Sequence, residues 1–166
     1  MLVLYTDRLS LRNPVLSDVA ALASYHSSEA YLQYYDHPPN TQKIIEMAIQ
    51  WASQEPRENF QLIIELVGKG EVIGCAGFRT ESYPNGEAEI GIEVHPDYWG
   101  RGYATESLVA LIELARSQSI SKLHALTNES NTRAIELTKM VGFTSAAINN
   151  KLVRLSLNLV SEDSLE

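Results

Sequence analysis

Apolar positions recur along the chain with two periods, and each period predicts a different element. Leu9 and Leu11 alternate with Arg8, Ser10 and Arg12, the spacing of a half-buried strand. Val19, Leu22, Ala23 and Tyr25 follow at helical spacing, with Ser17 or Asp18 as N-cap. A second apolar stripe, Ile44, Ile45, Ala48, Ile49 and Trp51, begins after Pro38-Pro39-Asn40-Thr41 and is closed by Pro56. Residues 60–67 and 72–80 are rich in apolar and β-branched side chains and flank Gly68-Lys69-Gly70-Glu71, which predicts a hairpin. A second turn at Tyr83-Pro84-Asn85-Gly86 leads into a strand over 87–94. Leu108, Leu111, Ile112 and Ala115 mark a helix over about 102–118. A strand near 122–127, a helix over 131–141 and strands around 143–148 and 151–159 complete the series. Helices early, a strand meander in the middle and alternation late predict an α/β (α+β) fold, with a mixed sheet carrying helices on both faces.

With 166 residues, 45% of them hydrophobic, the chain has the size of one domain, expected over 1–160. The acidic stretch 161–166 is expected to be a frayed tail. The start lacks a basic segment and a long apolar run, and no apolar stretch is long enough for a bilayer, so a cytoplasmic protein without membrane contact is expected. Cys75 is the only cysteine and lies in an apolar run, where burial is the expectation. The formal charge of −8 argues against nucleic acid as a partner. The four histidines, His26, His37, His95 and His124, have no metal-ligand spacing, and no metal is expected.

The most informative segment is Glu89-Ile90-Gly91-Ile92-Glu93-Val94-His95-Pro96-Asp97-Tyr98, continued by Trp99-Gly100-Arg101-Gly102-Tyr103-Ala104-Thr105-Glu106. It reads as a strand feeding a glycine turn that opens a helix. Such a turn brings free N–H groups and the positive end of the helix dipole to an anion. No G-x-x-x-x-G-K-[S/T] is present, which excludes a nucleotide-hydrolysing P-loop. A second segment, from Asn131-Thr132-Arg133-Ala134 to Val141-Gly142-Phe143, is a short helix ended by glycine and followed by a strand.

Together these segments resemble the GNAT N-acetyltransferase superfamily, the first its acetyl-CoA pyrophosphate loop and the second its N-x-x-[S/A] helix. Thr6-Asp7-Arg8-Leu9-Ser10-Leu11-Arg12 and the Tyr98–Glu106 segment are similar to the ribosomal-protein alanine acetyltransferase branch. Two departures stand out: Trp99 where the family has Gln or Arg, and Thr138 where many members carry a tyrosine taken as the general acid.

The resemblance implies a mostly antiparallel central sheet and transfer of an acetyl group from acetyl-CoA to a primary amine, either a protein N-terminus or a small molecule. It also implies that the backbone of Ile92, Glu93 and Val94 pairs with the pantetheine arm, that Gly100, Arg101, Gly102, Tyr103, Ala104 and Thr105 hold the pyrophosphate, and that Asn131 contacts the arm. By spacing alone Asn131 is equally a helix cap, and Arg101 equally an exposed side chain with no ligand.

Strand alternation puts Glu89, Gly91 and Glu93 on one face, where two carboxylates in a dry cleft would raise one another's pKa. Relatives place their base on this strand, so Glu89 is the expected base and Glu93 the second choice. Tyr31, Tyr34, Tyr35, His37 and Tyr83 are expected around the acceptor, although such aromatics also serve plain packing. The competing function is a catalytically weak acyl-CoA-binding regulatory module, and the sequence leaves monomer and homodimer open.

Overall fold

The computed structural model describes residues 2–160, so the acidic stretch expected to fray, 161–166, lies outside the described residues. Eight strands form one sheet: β1 (Val3–Tyr5), β2 (Leu9–Arg12), β3 (Phe60–Leu66), β4 (Glu71–Arg79), β5 (Glu87–Val94), β6 (Lys122–Asn128), β7 (Thr144–Ala147) and β8 (Leu152–Asn158). Their spatial order is β1-β2-β3-β4-β5-β6-β8-β7. Every neighbouring pair is antiparallel except β5 and β6, which run parallel. Five α-helices accompany the sheet: α1 (Val19–His26), α2 (Glu29–Leu32), α3 (Thr41–Ala52), α4 (Tyr103–Ser117) and α5 (Thr132–Met140).

Period-two alternation along the central strands divides the core between two faces. Ile63 and Cys75 pack with Leu22 and Tyr25 of α1, Tyr31 of α2 and Ile45 of α3. Their neighbours Leu62, Ile64 and Ala76 join Leu108, Leu111, Ile112 and Ala115 of α4 on the opposite face. The helices on both faces predicted from the pattern are therefore present, and the continuous apolar runs of β3 and β4 reflect burial from both sides. Each fully buried leucine here contributes roughly 1.5–3 kcal/mol of transfer free energy.

Local chemistry fixes the helix ends. Asn40 accepts the Lys43 N–H at 3.0 Å and Asn131 the Ala134 N–H at 3.3 Å, as side-chain N-caps of α3 and α5. The carboxylate of Glu106, on α4, accepts from the Thr6 hydroxyl at 2.5 Å, the Arg8 backbone N–H at 2.9 Å and Arg8 Nε at 2.7 Å, which ties the first turn of α4 to the start of β2. Two elements were not predicted, strand β1 and the short helix α2, whose patterns are too brief to show a period. The place of β8 between β6 and β7 is set by tertiary pairing.

Gly77, in the middle of β4, shows how closely the sheet is built. A Cβ there would stand 1.9 Å from the Phe60 carbonyl oxygen and 2.8 Å from Gln61 Cα, both backbone atoms of the adjacent strand. Gly77→Ala should therefore force β3 and β4 apart and lower stability by about 2–3 kcal/mol. Urea titration measures this as a lower midpoint, and an unchanged midpoint would contradict the close approach.

Candidate active site

Strands β5 and β6 pair only from Glu87 with Lys122 to Glu89 with His124, and then diverge. On its other side β5 stays paired with β4 as far as Val94. The His95 N–H bonds the Ile73 carbonyl at 2.7 Å. Counting back by twos in an antiparallel ladder, Glu93, Gly91 and Glu89 direct their backbone groups toward β4, opposite Cys75, Gly77 and Arg79. Ile90, Ile92 and Val94 direct theirs to the opposite side, and from Ile92 onward that side is the gap. The Val94 carbonyl accordingly accepts the Trp99 indole N–H at 2.7 Å.

The gap opens into a cavity of about 920 Å³ whose lining includes Ile92, Val94, Trp99, Gly100, Gly102, Tyr103, Ala104, Thr105 and Asn131. Gly100 and Gly102 have φ of +76° and +82°, a backbone state that L side chains rarely adopt, and a Cβ on Gly100 would meet nothing within 4 Å. Gly102 is the N-cap of α4, and the first amide to bond back along the helix is that of Glu106, to the Gly102 carbonyl at 3.0 Å. The N–H groups of Tyr103, Ala104 and Thr105 thus have no carbonyl within the helix to bond, and they stand at its positive end. Arg133, stacked over the Trp99 ring at 5.2 Å, lines the same cavity.

On the other side of β5, Glu93 is enclosed by donors. Its Oε1 accepts from Tyr25 Oη at 3.0 Å, His26 Nε2 at 2.5 Å and Cys75 Sγ at 3.1 Å, and its Oε2 from Tyr31 Oη at 2.9 Å. The other His26 nitrogen shares a 2.7 Å hydrogen bond with Thr41 Oγ1. Burial alone would push the Glu93 carboxyl up, but the hydrogen bond and charge of His26, with further donation from Cys75 and Tyr31, outweigh it and hold the pKa below the ordinary carboxylate value. Burial, reinforced by the nearby carboxylate, raises the Tyr25 and Tyr31 phenols far above theirs, so both remain neutral donors.

Glu89 lies further along the same strand face. Among the described residues it has one hydrogen bond, from Arg79 Nη2 at 3.4 Å, and Arg79 Nη1 donates to Gln61 Oε1 at 3.0 Å. Gln61, Arg79, Glu89 and Gly91 line the cavity together with Tyr31, Tyr34 and Tyr35, and with Ile44, Met47 and Trp51 of α3. The cavity therefore runs through the sheet: backbone donors and a helix N-terminus lie on one side, and charged and aromatic side chains on the other.

A family profile for the acetyltransferase (GNAT) domain matches residues 8–144. The chain belongs to the GNAT acetyltransferases. It is 31% identical over 149 residues to the uncharacterized N-acetyltransferase p20 of Bacillus licheniformis, a match covering 86% of this chain and 83% of that protein. Among solved structures, ribosomal-protein-S5-alanine acetyltransferase from Vibrio fischeri superposes with a TM-score of 0.77 at 12% identity, over 95% of this chain and 97% of the other. Spermidine N-acetyltransferase from Vibrio cholerae, in complex with CoA and spermine, superposes with a TM-score of 0.76 at 16% identity, over 93% and 97%. At such identities the likeness to solved structures concerns the fold alone.

Within this GNAT fold several expected site residues take different parts. The backbone of Glu93 faces β4 rather than the gap, because strand alternation lets only every second residue present its amide there. Glu93 and Glu89 do not form a close carboxylate pair: i and i+4 on a strand are about 13 Å apart, and donors surround Glu93. Arg101 folds back, donating from Nη2 to the Asp97 carbonyl at 3.1 Å and lying over the Tyr98 ring at 5.3 Å. The Asn131 Oδ1 is engaged as a cap, and the residue lines the cavity.

The Thr138 hydroxyl is buried and donates to the Ala134 and Ile135 carbonyls at 2.8 and 3.0 Å, so it is no proton donor to a ligand. Tyr83 stacks on His124 at 4.4 Å, and neither it nor His37 lines the cavity. His26, Arg79 and Arg133 escaped the sequence reading. The one visible signal for His26 was its place beside Tyr25 at the end of an apolar helix stripe.

The Glu93 network has a pH signature. A carboxyl whose folded pKa lies below its unfolded value of about 4.3 stabilises the fold above that pH, and the contribution is lost as pH falls through the folded pKa. Glu93→Gln should lower stability near neutrality by about 2–4 kcal/mol, and the difference from wild type should shrink below about pH 4. Denaturant midpoints measured from neutral to acid pH test this, and a difference independent of pH would contradict it.

Proposed function

We propose that the protein transfers an acetyl group from acetyl-CoA to a primary amine, with a protein N-terminus or a small amine as acceptor. The reading rests above all on one observation, the divergence of β5 from β6 beside the free first turn of α4. A strand edge with unpaired amides suits an amide-bearing chain, and N–H groups at a helix N-terminus suit a diphosphate. The residues present therefore fit acetyl-CoA, which when bound supplies an activated acetyl thioester.

Ile92 and Val94 offer backbone groups to the pantetheine arm, and the Asn131 amide nitrogen adds a donor. Gly100 and Gly102 let the backbone approach the pyrophosphate, which the amides of Tyr103, Ala104 and Thr105 bind. Arg133, which lines this half over the Trp99 ring, is a better placed cation than Arg101.

Glu89 takes the proton from the acceptor ammonium, directly or through water, because its oxygens carry a single long hydrogen bond. Glu93 acts as a positioning residue: its hydroxyl and imidazole donors fix α1 and α2 against β5 and so place the wall carrying Tyr34 and Tyr35. Solved relatives of this fold include a ribosomal-protein acetyltransferase and a spermidine acetyltransferase, which supports an amine acceptor without choosing its size.

Glu89→Gln should lower kcat about 100-fold or more near neutral pH while leaving acetyl-CoA affinity nearly unchanged. Release of free thiol, followed across a pH series with an amine panel, measures the first effect, and equilibrium binding the second. Undiminished turnover at every pH would remove Glu89 from the mechanism. Affinity for acetyl-CoA without amine-dependent thiol release in the wild type would favour a binding module.

A further inference from the structure

The acceptor half of the cavity contains one guanidinium, and its position is specific. Arg79 reaches across from β4 so that Nη2 would stand 3.5 Å from a Cβ on Gly91, meaning that it lies over the bare backbone between Glu89 and Glu93. A larger side chain at 91 would occupy that space. The next residue, Ile92, is one of those whose backbone groups face the gap. A positive charge is thereby held over the strand, next to the residue whose backbone opens to the gap.

Arg79 is only partly engaged there. The Gln61 contact at 3.0 Å is to a neutral amide, and the 3.4 Å contact to Glu89 is long against the roughly 2.7–2.9 Å of a strong charged pair. A guanidinium has five N–H donors, so several remain for a ligand. The Arg79 side chain is 32% exposed and that of Glu89 36%, so both reach the cavity. Glu93 is more heavily engaged, its Oε1 accepting from Tyr25, His26 and Cys75 and its Oε2 from Tyr31.

A lightly engaged carboxylate beside a guanidinium is the complement of a molecule that carries an ammonium beside a carboxylate. We propose that the acceptor is a free α-amino acid with an apolar side chain. Arg79 holds its carboxylate over Gly91, its amine points past Glu89 toward the gap at Ile92, and its side chain lies against Met47 and Trp51. The proposal rests on the acetyl-transfer reading above and adds the acceptor class.

Two other acceptors fit less well. A peptide N-terminus has a neutral carbonyl where the carboxylate would lie, leaving Arg79 without an anion. A polyamine would bring a second cation against the Arg79 guanidinium. The wall of Ile44, Met47 and Trp51 adds an apolar surface that a polyamine does not need.

The test is initial-rate thiol release at saturating acetyl-CoA. The panel comprises methionine and phenylalanine, their carboxamides, their decarboxylated amines, spermidine and a peptide with a free N-terminal alanine. The free acids should exceed their carboxamides and decarboxylated amines at least about tenfold in kcat/KM. Arg79→Gln should reduce that preference by roughly 10- to 100-fold, chiefly through KM, and Arg79→Lys should restore part of it. Carboxamides or decarboxylated amines that match the acids, or a preference that survives in Arg79→Gln, would overturn the assignment.

Turnover of spermidine or the peptide in place of the acids would overturn this acceptor class while leaving acetyl transfer standing. Thiol release with no amine at all would overturn both. Acetyl-CoA affinity of each variant, measured separately, shows that it is folded. If Arg79→Gln fails that check, the wild-type panel and Arg79→Lys still decide the question.

Discussion

Backbone amides that a sheet leaves unpaired must find partners elsewhere, and the departure of β6 from β5 after Glu89 imposes that requirement at the centre of this molecule. Beyond that point β5 is bonded on one side only. Its alternate residues present N–H and C=O groups to a gap that the sheet does not close. The Val94 carbonyl is answered by the Trp99 indole, which anchors the glycine turn directly against the strand end. The turn then delivers α4 with its first amides unbonded, so strand edge and helix terminus open into the same cavity.

The rest of the structure holds this opening in place. On one face, α4 packs its apolar stripe under β2, β4 and β5, while Glu106 ties its first turn to Thr6 and Arg8. On the other face, Glu93 binds α1 and α2 to β5 through hydroxyl and imidazole donors, and the Cys75 thiol of β4 donates to the same carboxylate. The two faces carry different chemistry because strand alternation sorts the residues of β5. Ala88 and Ile90 enter the α4 core, while Glu87, Glu89, Gly91 and Glu93 face the side where α1 and α3 pack. A carboxylate in such a network gives the strand a definite position, since moving it would strand several buried donors at once.

Much of this was legible in the sequence because it is local. Gly68 and Gly70 marked a hairpin, the alternation in 87–94 marked the two faces of β5, and Gly100 with Gly102 marked a turn that needs positive φ. The acetyltransferase resemblance also rested on short contiguous segments. The parts that could not be read depend on distance along the chain. His26 and Tyr31 meet Glu93 from more than 60 residues away, so a carboxylate that looked like one of a coupled pair is instead surrounded by donors. Arg101 looked like an anion ligand by its place in the turn, yet Asp97 and Tyr98 hold it. Arg79 carried no signal at the end of an apolar run until Gly91 appeared beneath it.

The central claim, that open amides on β5 and α4 receive coenzyme A, is tested most directly by residue-resolved hydrogen exchange with and without CoA. In the free protein the amides of Ile92, Val94, Tyr103, Ala104 and Thr105 should exchange quickly, and that of Glu93, bonded to β4, slowly. Saturating CoA should slow the first group markedly and leave Glu93 little changed. Unaltered exchange of Ile92, Val94 and the first turn of α4 at saturation would contradict the account.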